Sequence, residues 1–401
     1  MKQAQKNLTN LRRVEPYWYL IAVLIVLAAA LFIYHQVTGF TPDRVAFRIS
    51  SFNFDVFWYG VIIVSGIALG TFVTSKVALD KAEWEFRKHV PVKIRALPIT
   101  KLDLPDEISD TFKKHKANTL GQVIFEWGLN PERLGLNKEG RELVYTQLAD
   151  HPRIKSEWLD EAAWRQWNPD YVWSGVAWCL AFGIVGARLY HVITPSPSMA
   201  EIGIHNALDY FRNPLQLVNL RNGGLGIFGA LAGGALGIFA FTRRNRLSAI
   251  AWTDLAVVGL ALGQSIGRWA NFINQELYGR PSTLPWAINI DPTHRLPEYI
   301  DFTSFHPTFL YASLWSFATF LVLLWLANKK RGSMLRGDLT AVYLIMFSLG
   351  RVITELFRLD SRLFAIPGLR LEIPVATLLA LILIVGLGSF LIWRHAKQRK
   401  Q

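Results

Sequence analysis

The sequence predicts an all-α, polytopic integral membrane protein with about eight transmembrane helices and a soluble helical insertion. Three observations carry this. Apolar residues make up 51% of the 401 positions and gather in long blocks, and a membrane span needs about 20 such residues in a row. The basic residues behind the formal net charge of +13 cluster at the ends of those blocks, as the positive-inside rule expects. One stretch, residues 80–170, breaks the pattern with intermixed charges of both signs and prolines at Pro91, Pro98, Pro105, Pro131 and Pro152. The same charge distribution argues against a nucleic-acid partner. A single cysteine, Cys179, excludes an intrachain disulfide framework. Placed inside an apolar run, it reads as a buried, inert thiol.

The elements follow in order. Lys2, Lys6, Arg12 and Arg13 precede an apolar run over residues 17–34. That run is expected to be an uncleaved anchor rather than a signal peptide, because it continues past the small residues Ala28-Ala29-Ala30. Residues 56–79 form the second span, opened by interface-loving aromatics at Phe57, Trp58 and Tyr59. In the insertion, residues 143–148 and 158–167 look amphipathic and helical. It shows no metal-ligand spacing and no phosphate loop, and His89, His115 and His151 read as surface histidines. The expected organisation is therefore a tail, anchor and outer loop over 1–55, a first core helix over 56–79, the insertion over 80–170 and the remaining membrane core over 171–401.

Further spans are expected at 172–193, 225–241, 252–266, 307–327, 339–357 and 373–393. The segment between 193 and 222 carries Pro195, Pro197 and Pro214 and reads as interfacial or exposed. Gly229, Gly233 and Gly237 recur every fourth residue, and so do Gly259, Gly263 and Gly267. Such stripes let helices approach closely in lipid. With the amino terminus cytoplasmic, the insertion, the Arg243–Arg246 cluster, the 329–331 cluster and the tail at Arg394, Lys397, Arg399 and Lys400 all fall on the cytoplasmic side.

One stretch departs from membrane packing, Gly267 to Gly279, reading G-R-W-A-N-F-I-N-Q-E-L-Y-G. Arg268, Asn271 and Asn274 share a helical face, with Glu276 and Arg280 following. A cation at the centre of a bilayer costs about 2.5–3.5 kcal/mol on insertion scales, so such groups face a cavity or a partner. A lone arginine snorkelling to the interface is the simpler alternative. The two asparagines and the glutamate favour an anionic headgroup site. Arg351 and Glu355 are four apart on one face, placed to pair or to contact a ligand together.

The stretch resembles the signature of the bacterial prolipoprotein diacylglyceryl transferase family at every specified position. Trp58-Tyr59-Gly60, Gly186-Ala187-Arg188-Leu189, Asn222-Gly223-Gly224, His306-Pro307-Thr308 with Leu310-Tyr311, and Gly350-Arg351 with Glu355, Phe357 and Arg358 fall in the family's order. The resemblance implies transfer of the diacylglyceryl group of phosphatidylglycerol to the lipobox cysteine of prolipoprotein signal peptides, with release of glycerol phosphate. It carries over Arg268 and Arg351 as the essential pair, Asn271 and Glu276 as signature partners, and Tyr59 and Arg188 as site-lining residues. Asn274, Gly279, Glu355 and Arg358 join the expected substrate-binding set. No metal or organic cofactor is called for. Departures are Phe228, where many members have histidine, and Phe309 and Ala312, where glutamine and glutamate are usual. His306 and Glu276 are then the candidate bases. A bacterial cytoplasmic-membrane location follows, with the site towards the outer face. The rival readings are a lipid transporter and a catalytically silent relative that binds phosphatidylglycerol or signal peptides.

Overall fold

The structure, a computed structural model, describes residues 15–114, 117–195, 199–200, 203–212, 214–218, 224–329, 332–359, 363–365 and 372–399. Lys2, Lys6, Arg12, Arg13, His115, Pro197, Asn222, Gly223, Lys330, Arg331 and Lys400 lie outside the described residues. The chain divides into two compact units, Met1–Val73 with Ala256–Gln401, and Thr74–Leu255.

All eight expected apolar helices form. They are α1 Pro16–Thr38, α2 Trp58–His89, α6 Asp170–Ile193, α7 Ile227–Arg244, α8 Ala249–Ile273, α9 Thr308–Lys329, α10 Asp338–Glu355 and α11 Val375–Gln398, while α3 Asp106–Lys114, α4 Leu120–Leu129 and α5 Lys138–Ala149 belong to the insertion. Among the described residues, six of these helices are long and apolar enough to cross a membrane by length and composition, the others being α7 and α10 with 18 residues each. Eighteen residues rise about 27 Å, slightly short of a typical hydrocarbon core. The chain is a mostly helical, multi-pass membrane protein.

Within the first unit, α1 starts on Pro16 and stops at Gly39, whose left-handed backbone (φ 72°) lets its N–H cap the His35 carbonyl at 2.7 Å. Only Tyr17, Ile21 and His35 of α1 are buried. A two-stranded hairpin of β1 Val45–Ile49 and β2 Phe54–Phe57 follows. The pairing of β2 displaces the expected span start at 56 to Trp58. At its other end α2 runs on past 79 to His89, because the Glu83–Arg87 ion pair (2.8 Å) and a basic last turn support a polar helix. The glycine stripe of α8 packs against α2, where a Cβ on Gly70 would lie 2.5 Å from the Gly259 carbonyl oxygen. The helix α10 packs against both α9 and α11. A buried cluster of Phe272, Ile273, Tyr278, Ile288, Ile290, Phe305 and Phe309 closes one end, with Phe309 stacked on Phe272 at 4.8 Å.

In the second unit the insertion packs around Trp164, which is fully buried and donates its indole N–H to the Phe125 carbonyl at 3.0 Å. A capping box of Thr119 and Gln122 starts α4, and Asn137 caps α5. The expected helix over 158–167 is absent; only the 3-10 turns Ser156–Trp158 and Arg165–Trp167 form there. Arg165 draws the Leu159 and Asp160 carbonyls away from helical bonding, at 2.6 and 2.5 Å. The stripe Gly229, Gly233 and Gly237 of α7 is buried against Gly186, Phe182 and Trp178 of α6. Cys179 is half-buried rather than enclosed.

Candidate active site

Three helices of the first unit build a cavity of about 70 Å³. From α8 come Gln264, Arg268 and Asn271, successive turns of one face; from α10 come Tyr343, Phe347, Gly350, Arg351 and Thr354. Phe309, Ala312 and Trp315 of α9 supply an apolar wall, and Arg358 follows α10. Among the described residues lining the cavity, three are arginines and none is a carboxylate. The Arg268 guanidinium feels the charges of Arg358 and Arg351 and lies near the phenols of Tyr59 and Tyr343. Glu355 sits behind this wall, 5% exposed, with Oε2 2.8 Å from Nη2 of Arg351.

The close approach around Gly350 explains its place in the sequence. A Cβ there would stand 2.3 Å from the Trp315 ring, and Trp315 donates to the Met346 carbonyl at 2.6 Å. Glycine therefore lets α9 press against α10 where Arg351 emerges. Across α8 and α9, the Ser313 hydroxyl donates to the Ser265 carbonyl at 2.8 Å and Trp269 donates to Ser313 at 3.2 Å.

After Ile273 the chain turns sharply. Gln275 (φ 51°) and Leu277 (φ 54°) are left-handed although neither is glycine, a conformation that costs about 1 kcal/mol or more per residue. Gln275 is held by Asp291, donating through Nε2 to its carboxylate at 2.5 Å and accepting its backbone N–H at 2.7 Å. The Thr308 hydroxyl donates to the Leu277 carbonyl. Within this turn Glu276 Oε1 accepts from the Asn271 carboxamide at 2.7 Å, which fixes that side chain at the cavity wall. Asn274 is half-buried at the start of the turn and is not among the residues lining the cavity.

Gly279 and Arg280 tie the motifs together through the backbone. Gly279 N–H donates to the His306 carbonyl at 3.0 Å, His306 N–H to the Arg280 carbonyl at 3.0 Å, and Arg280 N–H to the Phe357 carbonyl at 2.8 Å. A Cβ at Gly279 would meet the Phe357 oxygen at 2.7 Å and Thr308 Cγ2 at 2.8 Å. His306 is half-buried, pairs through Nδ1 with the Tyr311 hydroxyl at 3.1 Å, and packs 4.9 Å from the Phe357 ring. Trp286 donates to that same hydroxyl at 3.0 Å. Burial lowers the His306 pKa below the ordinary imidazole value, which favours the neutral ring.

Of the expected site residues, Arg268, Asn271, Arg351 and Arg358 line one cavity, and Glu276 and Glu355 hold two of those side chains. His306, Glu276, Asn274 and Gly279 lie beside it without lining it. Tyr59 is 44% exposed on the first turn of α2. Arg188 belongs to the second unit, where it donates to the carbonyls of Leu217 (2.8 Å), Gly224 (2.9 Å) and Gln216 and lies 5.4 Å over Tyr210. Those bonds hold the guanidinium against the backbone of its own unit. Phe228 is exposed and packs near Tyr190. Gln264 and Tyr343 also line the cavity, beyond the residues that the sequence motifs point to. The signal was a lone glutamine four residues before Arg268 in an apolar run.

The chain is thus of the class of multi-pass membrane proteins, with apolar helices that converge Arg268, Arg351 and Arg358 on one cavity. A family profile described as prolipoprotein diacylglyceryl transferase matches residues 153–393. Proteins named phosphatidylglycerol–prolipoprotein diacylglyceryl transferase are similar to the chain. The one from Frankia alni is 42% identical over 211 residues, covering 52% of this chain and 52% of that protein. The second such protein of Streptomyces coelicolor is 40% identical over 54% of this chain and 65% of its own length. The one from Chloroflexus aggregans is 38% identical over 58% of this chain and 78% of its own length. The chain thus spans less than two thirds of the first two relatives. It belongs to the prolipoprotein diacylglyceryl transferase family.

Proposed function

We propose that the chain transfers the diacylglyceryl group of phosphatidylglycerol to the lipobox cysteine thiol of a prolipoprotein signal peptide and releases glycerol phosphate. The observation that carries this is the convergence of Arg268, Arg351 and Arg358 on one cavity between apolar helices. A phosphodiester headgroup supplies the anion that such a cluster binds, and its acyl chains match the apolar surroundings.

In the reaction the thiolate sulfur attacks the glyceryl carbon that bears the phosphate ester. The C–S bond forms as the C–O bond breaks, and the electron pair leaves on the phosphate oxygen. Arg268 and Arg351 hold the phosphate and stabilise the charge it gains. Asn271, oriented by Glu276, adds a carboxamide at the same wall. At neutral pH a cysteine is only a few per cent thiolate, so the proton needs an acceptor. Neutral His306 and the Glu276 carboxylate are the candidate bases. The basic loops support a bacterial cytoplasmic-membrane location with both termini inside and the site towards the outer face.

The test mixes purified protein with phosphatidylglycerol and a lipobox peptide and follows peptide mass and glycerol phosphate. Diacylglyceryl gain that disappears in folded Arg268→Ala and Arg351→Ala supports the reading. Lipid binding without transfer by folded wild type points instead to the silent relative.

A further inference from the structure

The insertion carries a groove that the transfer chemistry leaves unused. Trp127 forms its floor at 6% exposure, and Tyr145 stands 5.8 Å away, tilted by 31°, as one wall. Tyr171 contributes a third aromatic ring, and the exposed Glu132 and Asp160 line the same groove. The Tyr145 hydroxyl donates to Asp160 at 3.1 Å, and the residue stays 37% exposed. Arg133 takes Glu126 at 2.8 Å and Asp170 at 3.0 Å, whereas among the described residues no ion pair engages Glu132 or Asp160. Arg165 also lines the groove, but its Nε, Nη1 and Nη2 donate to the carbonyls of Gly128, Asp160 and Leu159.

Aromatic faces beside carboxylates suit a cation rather than an anion. The charge balance agrees. Residues 80–170 hold 15 Lys and Arg against 16 Asp and Glu, while the whole chain has 43 against 30. More than half of the acidic side chains therefore sit in this one segment of a basic protein.

We propose that this groove receives a Lys- or Arg-bearing peptide segment, the basic amino-terminal region of the acceptor's signal peptide. The assignment rests on the transferase reading above, which makes a prolipoprotein the acceptor. A secretory signal begins with a positively charged region, and that region stays on the cytoplasmic side, where the basic loops put the insertion.

Binding is read without turnover. Full-length protein in zwitterionic nanodiscs is titrated with a fluorescent ten-residue peptide carrying three lysines, and with its glutamine counterpart, by anisotropy. The lysine peptide binds more tightly, and the Glu132→Gln/Asp160→Asn variant reduces that preference about fivefold. Both carboxylates are exposed, so the variant keeps its fold, checked by thermal unfolding. Tyr145→Phe, which keeps the ring and loses the hydroxyl, retains the preference. Equal binding of the two peptides, or an unchanged preference in the double variant, overturns the proposal. A transfer assay on the same preparations separates the two readings: transfer without lysine preference removes the groove's role alone, and lysine preference without transfer removes only the transferase reading.

Discussion

The Glu355 carboxylate lies 2.8 Å from the Arg351 guanidinium and is only 5% exposed, so the arginine that reaches the cavity is anchored from behind. Removing one partner of a buried pair leaves the other uncompensated and costs about 3–5 kcal/mol. Arg351 keeps part of its surface accessible, which lowers that figure to about 2–3 kcal/mol. Glu355→Ala should lower the unfolding temperature in detergent clearly, and Glu355→Gln, which keeps the side chain's volume and loses only its charge, should lower it less.

The cavity arginines should not tolerate lysine. Guanidinium binds a phosphate with two parallel N–H groups, an ammonium with a point charge. Arg268→Lys and Arg351→Lys are each expected to lose about 10²-fold in kcat with smaller changes in KM, read in the transfer assay. A loss confined to KM would place the arginine in headgroup binding alone.

Gly279→Ala tests the backbone junction. Its Cβ would stand 2.7 Å from the Phe357 oxygen and 2.8 Å from Thr308, contacts that force a shift worth about 1–3 kcal/mol. Reduced thermal stability and reduced transfer are both expected, because the same strands of backbone carry His306 and Arg358. Full activity at wild-type stability would remove the junction from the explanation.

His306 sets the expected pH behaviour. Burial lowers its folded pKa, so the folded protein favours the neutral ring. The unfolded chain binds the proton first as pH falls below about 6.5, so the stability from this residue is present above that pH and is lost as pH drops through the lower folded value. If His306 is the base, the acid limb of kcat/KM lies below the ordinary imidazole range and flattens in His306→Gln. An unchanged limb in that variant assigns the base elsewhere, with Glu276→Gln the next measurement.

Much of the fold was legible because apolar blocks, basic flanks and glycine stripes are statements about lipid, written in local sequence. The stripe at Gly259 and Gly263 packs on α2 as its spacing implied. What local sequence does not carry is the partner of each polar group. Arg188, like Arg268, stands in an apolar run, and only the fold shows that it donates to the carbonyls of Leu217 and Gly224. The segment 158–167 has helical periodicity, but Arg165 captures the carbonyls a helix would need. Gln264 and Tyr343 are each a single polar residue in an apolar run, and only the fold brings them to one cavity wall.

The left-handed turn at Gln275 and Leu277 has a consequence for how the protein is made. Asp291 holds the first residue and Thr308 the second, and Phe357 closes the junction at Arg280. A nascent chain that has emerged only as far as Gly279 carries the full signature in its sequence but none of the anchors that fix its shape. The signature takes its shape in stages, as residues 291, 308 and 357 leave the ribosome and supply those anchors.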